Sequence, residues 1–503
     1  MTSLWQLTGP EIAPFGVGAT RRWDERERFD TVVVGAGLTG IAVAVLLARA
    51  GQRVLVLEAR TAGAVTTGNT TGKLSLLQAT VLSDIKRHAG EAVLQAYVEA
   101  NREGQAWLLR QLETRGVPVE RRTAFTYATG DDSLARLADE LEASHLAGLP
   151  VEQTSETGLP FPTAGALRLD EQAQLHPLAV LAELAVELRE RGGSLVEHCR
   201  VRDVDATEHG VSLTTERGEV SADACVLATG TPVLDRGMFF ARLEPSRSFV
   251  CAYPLADDAL PEGMYVSVDA PHRSLRTAHD PSGGPALVVG GGGHVTGRGG
   301  DTGAHLDGID EWTHERFEVQ QRCAWWAAQD YRTYSRVPFA GPLPGGRGRI
   351  FTATGYNKWG MTNAIAAALT LAADLLGEAP EWARTLREHR LGIADAGEAL
   401  RAGAAVAGHA FSGWAEAGIT APQTSDVELE EGEGAMTRTG VSPVGVARVD
   451  GRLCRVSGVC THMGGILSWN AAERSWDCPL HGSRFAADGT LLEGPAVDDL
   501  EQR

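Results

Sequence analysis

No stretch of this sequence is long and apolar enough to read as a membrane span. The longest uncharged run, Thr31 to Ala48, is broken by three glycines and belongs to a nucleotide-binding pattern. Positive charge is also scarce. Against 65 Asp and Glu stand 46 Lys and Arg, a net charge of −19. That deficit argues against a nucleic-acid surface and for a soluble acidic protein. Met1 to Asp24 lacks a basic segment followed by an apolar core, so no secretory signal is expected. Cysteine is sparse: seven residues, at 199, 225, 251, 323, 454, 460 and 478. The odd count and wide spacing do not suggest a disulfide framework, and they fit a reducing, cytoplasmic setting. With 503 residues, the chain has room for about three domains.

Phe29 to Glu58 organises the rest. Val32, Val33 and Val34 read as a buried parallel strand. Gly35, Gly37 and Gly40 give GxGxxG, and Ile41 to Ala50 is apolar almost all round, as in a buried helix. A second strand from Arg53 ends at Glu58, 18 residues after the last glycine. This is a dinucleotide-binding βαβ unit. Its glycines admit a pyrophosphate at the helix N-terminus, and its terminal carboxylate accepts ribose hydroxyls.

Next comes AGAVTTGNTTGKLSLLQ, residues 62–78, whose small and hydroxylated residues suit a loop wrapped around a polar ligand. Residues 83–115 and 131–147 read as helices, the second with Ser133 as a cap. Pro177 opens a helix that stops at Gly192. The apolar strand Ala224 to Leu227 ends in Ala228-Thr229-Gly230, a turn that suits a second pass beside a cofactor. Gly290 to Gly293 invites reading as a nicotinamide loop. The following HVTGRGGDTGAH has no helical period, so that reading is rejected. A further strand enters Gly355, and Gly360-Met361-Thr362 opens an Ala/Leu-rich helix whose dipole favours negative charge. Lys358 would add to that field.

Cys460-x-His462, fifteen residues, then Cys478-x2-His481 form the second chemical centre. Two thiolates and two imidazoles suit either tetrahedral zinc or a Rieske [2Fe-2S] cluster. C-x-H is unusual zinc spacing, and the following HGSRF is more than zinc needs, which favours the cluster.

At this point the sequence resembles flavin oxidoreductases of the D-amino-acid/glycine oxidase type with a C-terminal Rieske domain. The likeness rests on SLWQ, the βαβ unit, TTGNTTGKL, AAQDY (327–331), ATGYNKWGMT (353–362) and WNAAERSWDCPLHGSRF with its trailing GPA. It implies an α/β fold: a Rossmann-like FAD-binding domain (29–84, 150–245 and 336–377), an inserted α+β substrate domain (85–149 and 246–335), and a small all-β Rieske domain (426–503). A leader (1–28) packs on the surface of the first domain, and a connector covers 378–425. Implied cofactor contacts are Gly35, Ala36, Gly37, Leu38, Thr39 and Gly40 at the pyrophosphate, Glu58, Ala59 and Arg60 at the ribose, and Val201 at adenine. Thr70, Thr71, Gly72 and Lys73 would lie near the phosphates and ring, Thr229 and Gly230 at the second pass. Gly355, Lys358, Gly360, Met361 and Thr362 would lie at the isoalloxazine. Cys460, His462, Cys478 and His481 are the implied cluster ligands.

Many members of this family carry a disulfide beside the cluster, at positions that here hold Gly465 and Leu480. Ser483 could bond a cluster sulfur, and the next-but-one residue is Phe485 rather than Tyr. Fewer hydrogen bonds to sulfur imply a low potential for a Rieske centre. The expected activity is oxidation of a small amine or amino acid at FAD, with electrons passed singly through the cluster to a protein or quinone. Arg276, His294 and Lys358 are the candidate catalytic residues. A reductase or oxygenase component fed through the cluster, or a redox-sensing flavoprotein, are the alternatives. The short cluster domain would be marginal alone, so it is expected to dock on the flavin domain.

Overall fold

The structure, a computed structural model, describes residues 1–16, 27–234, 236–256, 260–390, 414, 421–424 and 427–503. Most of the connector and Trp23 of the leader lie outside the described residues.

The first strand, Arg28–Val34, sits centrally in an eight-stranded sheet. It pairs in parallel with Val54–Leu57 on one side and Gly218–Leu227 on the other. Such strands are buried on both faces, which is why they read as continuous Val/Leu runs. Helix Leu38–Arg49 covers this sheet, with Ile41, Val43 and Leu47 fully buried. Twelve residues are too few for a stable isolated helix. Burial of each such side chain, about 2 kcal/mol, holds it instead. Gly40 is obligatory here, since a Cβ would collide with the carbonyl oxygen of Gly35.

A nine-stranded sheet forms the second layer, ordered 324–333, 243–254, 285–295, 274–279, 264–267, 120–128, 165–174 and 73–74, with 152–154 paired to 165–174. Residues 152–174, assigned above to the FAD-binding segments, therefore lie in this sheet: Gly165–Gln174 pairs antiparallel with Glu120–Ala128. The Rieske portion has a three-stranded sheet (434–457) and a four-stranded one (468–493).

Other expectations need correction. Gly90, at φ +85°, splits the first long helix into Val81–Ala89 and Glu91–Arg115. Ser133 makes no side-chain cap, because it closes a short 3-10 turn, Asp131–Ser133. A helix does follow the glycine run: Thr302–Arg316, capped by Asp301. Its buried positions, Thr302, Leu306, Ile309 and Thr313, keep helical spacing, but two are threonines, so the apolar signal is only Leu306 and Ile309. Gly290 to Gly293 nonetheless lie inside strand Pro285–Val295, so they form no nucleotide loop. The leader is more than a surface strap. Leu4 and Trp5 are buried, Trp5 Nε1 donates to Thr70 O at 2.6 Å, and Ser3 Oγ donates to Gly68 O at 2.6 Å. Among the described residues no single helix is long and apolar enough to cross a membrane.

Candidate functional site

One cavity of about 960 Å³ runs between the two sheets. At its nucleotide end Glu58 is held rigidly: Oε2 accepts from Ala36 N at 2.9 Å and Oε1 from Arg60 N at 2.8 Å. Burial pushes this carboxyl up, and the two amides oppose that. Thr67 Oγ1 accepts from Leu38 N at 3.0 Å at the helix start.

Of the expected cofactor contacts, Gly35, Gly37, Leu38, Thr39, Glu58, Ala59, Arg60, Thr70, Thr71, Lys73, Val201, Thr229, Gly230, Lys358, Gly360 and Met361 line this cavity. Ala36, Gly40, Gly72, Gly355 and Thr362 do not; they stand behind it. Gly72 packs on Leu175 O, Gly355 on Thr333, and Thr362 Oγ1 accepts from Gln78 Nε2 at 3.1 Å. These residues shape the wall without forming it.

Arg276 is also displaced from its expected role. It is fully buried, donating through NH1 to Thr71 O at 2.7 Å and Leu175 O at 3.0 Å, and through Nε to Thr277 O at 2.9 Å. Its guanidinium lies 5.0 Å from the Trp5 ring. It braces the Thr/Gly loop from outside the cavity.

The other two candidates do face the recess. Lys358 sits at φ +71°, with its amide bonded to Asp330 Oδ2 and its Nζ donating to Ser248 Oγ at 2.6 Å. Its side chain is exposed to the cavity, with the cavity walls enclosing its amine. That enclosure, with Arg332 nearby, lowers its ammonium to about 8. Burial likewise raises Asp330 to about 6 and lowers Lys73 to about 7. His294 stacks on His305 with ring centroids 4.9 Å apart, and burial lowers its pKa. The glycine run forms the recess floor. A Cβ at Gly293 would lie 2.9 Å from Lys358 Nζ, and one at Gly291 2.9 Å from an Arg273 nitrogen. Sequence reasoning missed this role, and with it Arg273 and Ser248, because strands far apart in the chain converge here.

The second centre lies in two similar loops. Cys460 N donates to Gly465 O at 2.9 Å, and Cys478 N to Ser483 O at 2.8 Å. The Cys460 and Cys478 thiols lie close enough to share a proton, which pushes Cys460 down and Cys478 up. The His462 and His481 rings lie 5.1 Å apart, nearly perpendicular. Among the described residues no three His, Cys, Asp or Glu gather as ligands of one ion. The donors come instead as a thiol pair and an imidazole pair. That pairing fits two irons, one held by each pair, and does not fit a single tetrahedral zinc. The described cysteines are all free, and a Cβ at Gly465 would lie 2.7 Å from Leu480 Cδ1, so apolar packing fills the place of the missing disulfide. Ser483 Oγ accepts from Ala496 N at 3.0 Å, and its hydroxyl helps to lower the Cys460 thiol.

The two portions are docked. Arg247 pairs with Glu473 and Glu493, and Arg484 with Glu473 and Asp477, all in a buried seam. Arg298 Nε donates to Pro479 O at 2.9 Å and Arg60 NH1 to Leu492 O at 3.2 Å. Leu492, Glu493, Gly494, Ala496 and Val497 line the large cavity itself. The trailing GPA was the one sequence signal for this wall.

The FAD dependent oxidoreductase family (DAO) matches residues 30–374, and the Rieske [2Fe-2S] domain matches residues 419–502. The chain belongs to the DAO family of FAD-dependent oxidoreductases. This DAO-family enzyme binds FAD in its first part and a [2Fe-2S] cluster in its Rieske domain. It is 29% identical over 479 residues to YhfW of Bacillus subtilis (strain 168), described as a Rieske 2Fe-2S iron-sulfur protein, covering 94% of this chain and 93% of that one. Its Rieske segment is 48% identical over 46 residues to the cytochrome b6-f complex iron-sulfur subunit of Synechococcus sp. (strain JA-3-3Ab), which is 9% of this chain and 27% of that subunit. The DAO fold itself superposes on glycine oxidase from Geobacillus kaustophilus with TM-score 0.59 and 18% identity, over 70% of this chain and 96% of that one. L-proline dehydrogenase from P. horikoshii gives TM-score 0.59 and 16% identity, over 72% and 98%.

Proposed function

We propose that the protein oxidises a small amino acid or amine at the carbon next to nitrogen, and that electrons leave singly through the Rieske cluster to an external one-electron acceptor, a protein or quinone. The observation that carries this reading is the single cavity that joins the nucleotide end, the Lys358 recess and a wall built by the Rieske domain. The folds of glycine oxidase and L-proline dehydrogenase give the precedent for the substrate class.

Bound FAD supplies hydride acceptance, and the cluster supplies one-electron transfer. The chain's residues do the rest. Glu58 accepts the ribose hydroxyls, and the amides of the helix after Gly37 face the pyrophosphate. The start of helix Gly360–Leu376 opens on the cavity, and its positive end would favour negative charge on a bound isoalloxazine. The side-chain-free floor at Gly291 and Gly293 leaves room for substrate against that ring. Lys358, neutral above about 8, accepts the proton of a substrate ammonium, which frees the nitrogen lone pair for hydride loss.

The test is anaerobic mixing of the purified protein with a panel of amino acids and amines, followed by visible absorption and low-temperature EPR. One compound is expected to bleach the flavin, followed by a rhombic reduced-Rieske signal. If only an external reductant populates the cluster and the flavin follows, electrons enter at the Rieske domain and the reading fails.

A further inference from the structure

The AAQDY segment ends strand Ala324–Thr333, and its alternating side chains face two ways. Asp330 bonds the Lys358 amide. Gln329 and Tyr331 face the Rieske domain. Tyr331 OH donates to Gly494 O at 2.9 Å, and Gln329 Nε2 donates both to Tyr331 OH at 3.1 Å and to Gly482 O at 2.9 Å. Gly482 follows the ligand His481 directly and, at φ +81°, lies so close that a Cβ would come within 3.0 Å of Gln329 Nε2.

Tyr331 also touches both centres' surroundings. It lines the large cavity, and it lines a narrow cleft that His462 and His481 share with Phe240. The cleft holds about 10 Å³, room for at most one water. Thr231 is the one other residue common to both linings. The partition between flavin cavity and histidine face is thus one side chain thick. Electron tunnelling weakens steeply with gap length and runs best through packed or bonded atoms.

We propose that Tyr331, held by Gln329, is the coupling residue through which electrons pass between the flavin cavity and the histidine face of the cluster. One electron leaves the reduced flavin and one ferric iron becomes ferrous. The second follows once an external one-electron acceptor has reoxidised the cluster, and the flavin's remaining proton goes to solvent. Tyr331 itself undergoes no net change. The proposal rests on the relay reading above.

The test uses the full chain with both cofactors. A light pulse with an external deazaflavin donor reduces the flavin, and transfer to the cluster is followed optically. Y331F and Q329L are each expected to slow that transfer about fivefold or more. Their combination is expected to match the slower single variant, because they interrupt one route. Cluster EPR and midpoint potential are expected to stay unchanged, a result that a merely structural role would not give. Y331F removes a single oxygen atom and keeps the test open should Q329L fail to fold. Transfer within about twofold of the unchanged protein in either folded variant overturns the proposal, as does slowing with an altered EPR spectrum or potential. Absence of transfer in the unchanged protein overturns the relay reading too. Light replaces substrate here, so the outcome is independent of which compound the enzyme oxidises.

Discussion

Arg247 and Glu473 meet across the domain boundary in a two-point ion pair, with side chains 3% and 0% exposed. A buried pair of this kind is costly to break: without Arg247, the buried carboxylates of Glu473 and Glu493 are left to share Arg484. R247A is expected to destabilise the docked protein by about 3–5 kcal/mol, and the R247M/E473M double variant by much less. Chemical denaturation of the three proteins checks this.

The same seam predicts acid sensitivity. Burial acts to raise Glu473, but Arg247 and Arg484 outweigh it and hold the carboxyl at about 2, against 4.5 ordinarily. Its folded value is the lower one, so its contribution is complete above about 4.5 and is lost as pH falls toward about 2. The melting temperature of E473Q is therefore expected to fall less steeply than that of the unchanged protein between about pH 5 and about pH 3.

Lys358 gives a second pH dependence, on the alkaline side. Its amine is neutral above about 8, so flavin reduction is expected to speed up as pH rises through that value and then level off. K358M should lower the reduction rate about 100-fold and remove the rising limb. Stability follows too. Between about 8 and 10.5 the unfolded chain holds the proton and the folded one does not, so stability gains with pH there. Stopped-flow reduction across pH decides the kinetic part.

Filling the recess floor separates substrate binding from cofactor binding. In G293A the new methyl presses on Lys358 Nζ, so KM is expected to rise about tenfold with FAD content unchanged. G40A instead drives a methyl into Gly35's carbonyl, and it should be recovered without FAD or not at all.

The cluster itself has few hydrogen-bond donors: Ser483 is present and Phe485 carries no hydroxyl. Its midpoint is expected in the low part of the Rieske range of roughly −150 to +300 mV, and F485Y should raise it. A redox titration placing the unchanged protein above about +200 mV would contradict this.

The βαβ unit and the Rieske domain were legible because each rests on a local pattern with a chemical reason. Neighbours of a motif were harder. Gly355 and Thr362 lie beside cavity residues in sequence, yet the turn of the strand end and helix points them into the core. Arg276 was misplaced for a related reason: a charged residue on a substrate-block strand can face the recess or the packing behind it, and only the sheet register decides. The helix after Asp301 was unreadable because two of its four buried positions are threonines, which leaves Leu306 and Ile309 alone to mark the period. The Rieske wall of the cavity depends on contacts more than 400 residues apart, such as Arg60 with Leu492, which no local pattern carries.

That wall has a consequence for how the protein is made. Leu492 to Val497 close one side of the cavity, and they follow the whole α/β body along the chain. A flavin entering after they settle would have to pass a seam of buried ion pairs. An order of maturation is expected from this: the α/β body takes up its dinucleotide while the Rieske tail is undocked, and the cluster-bearing domain then closes over it. A cell short of iron, unable to complete that last domain, would accumulate a flavoprotein that leaks its flavin.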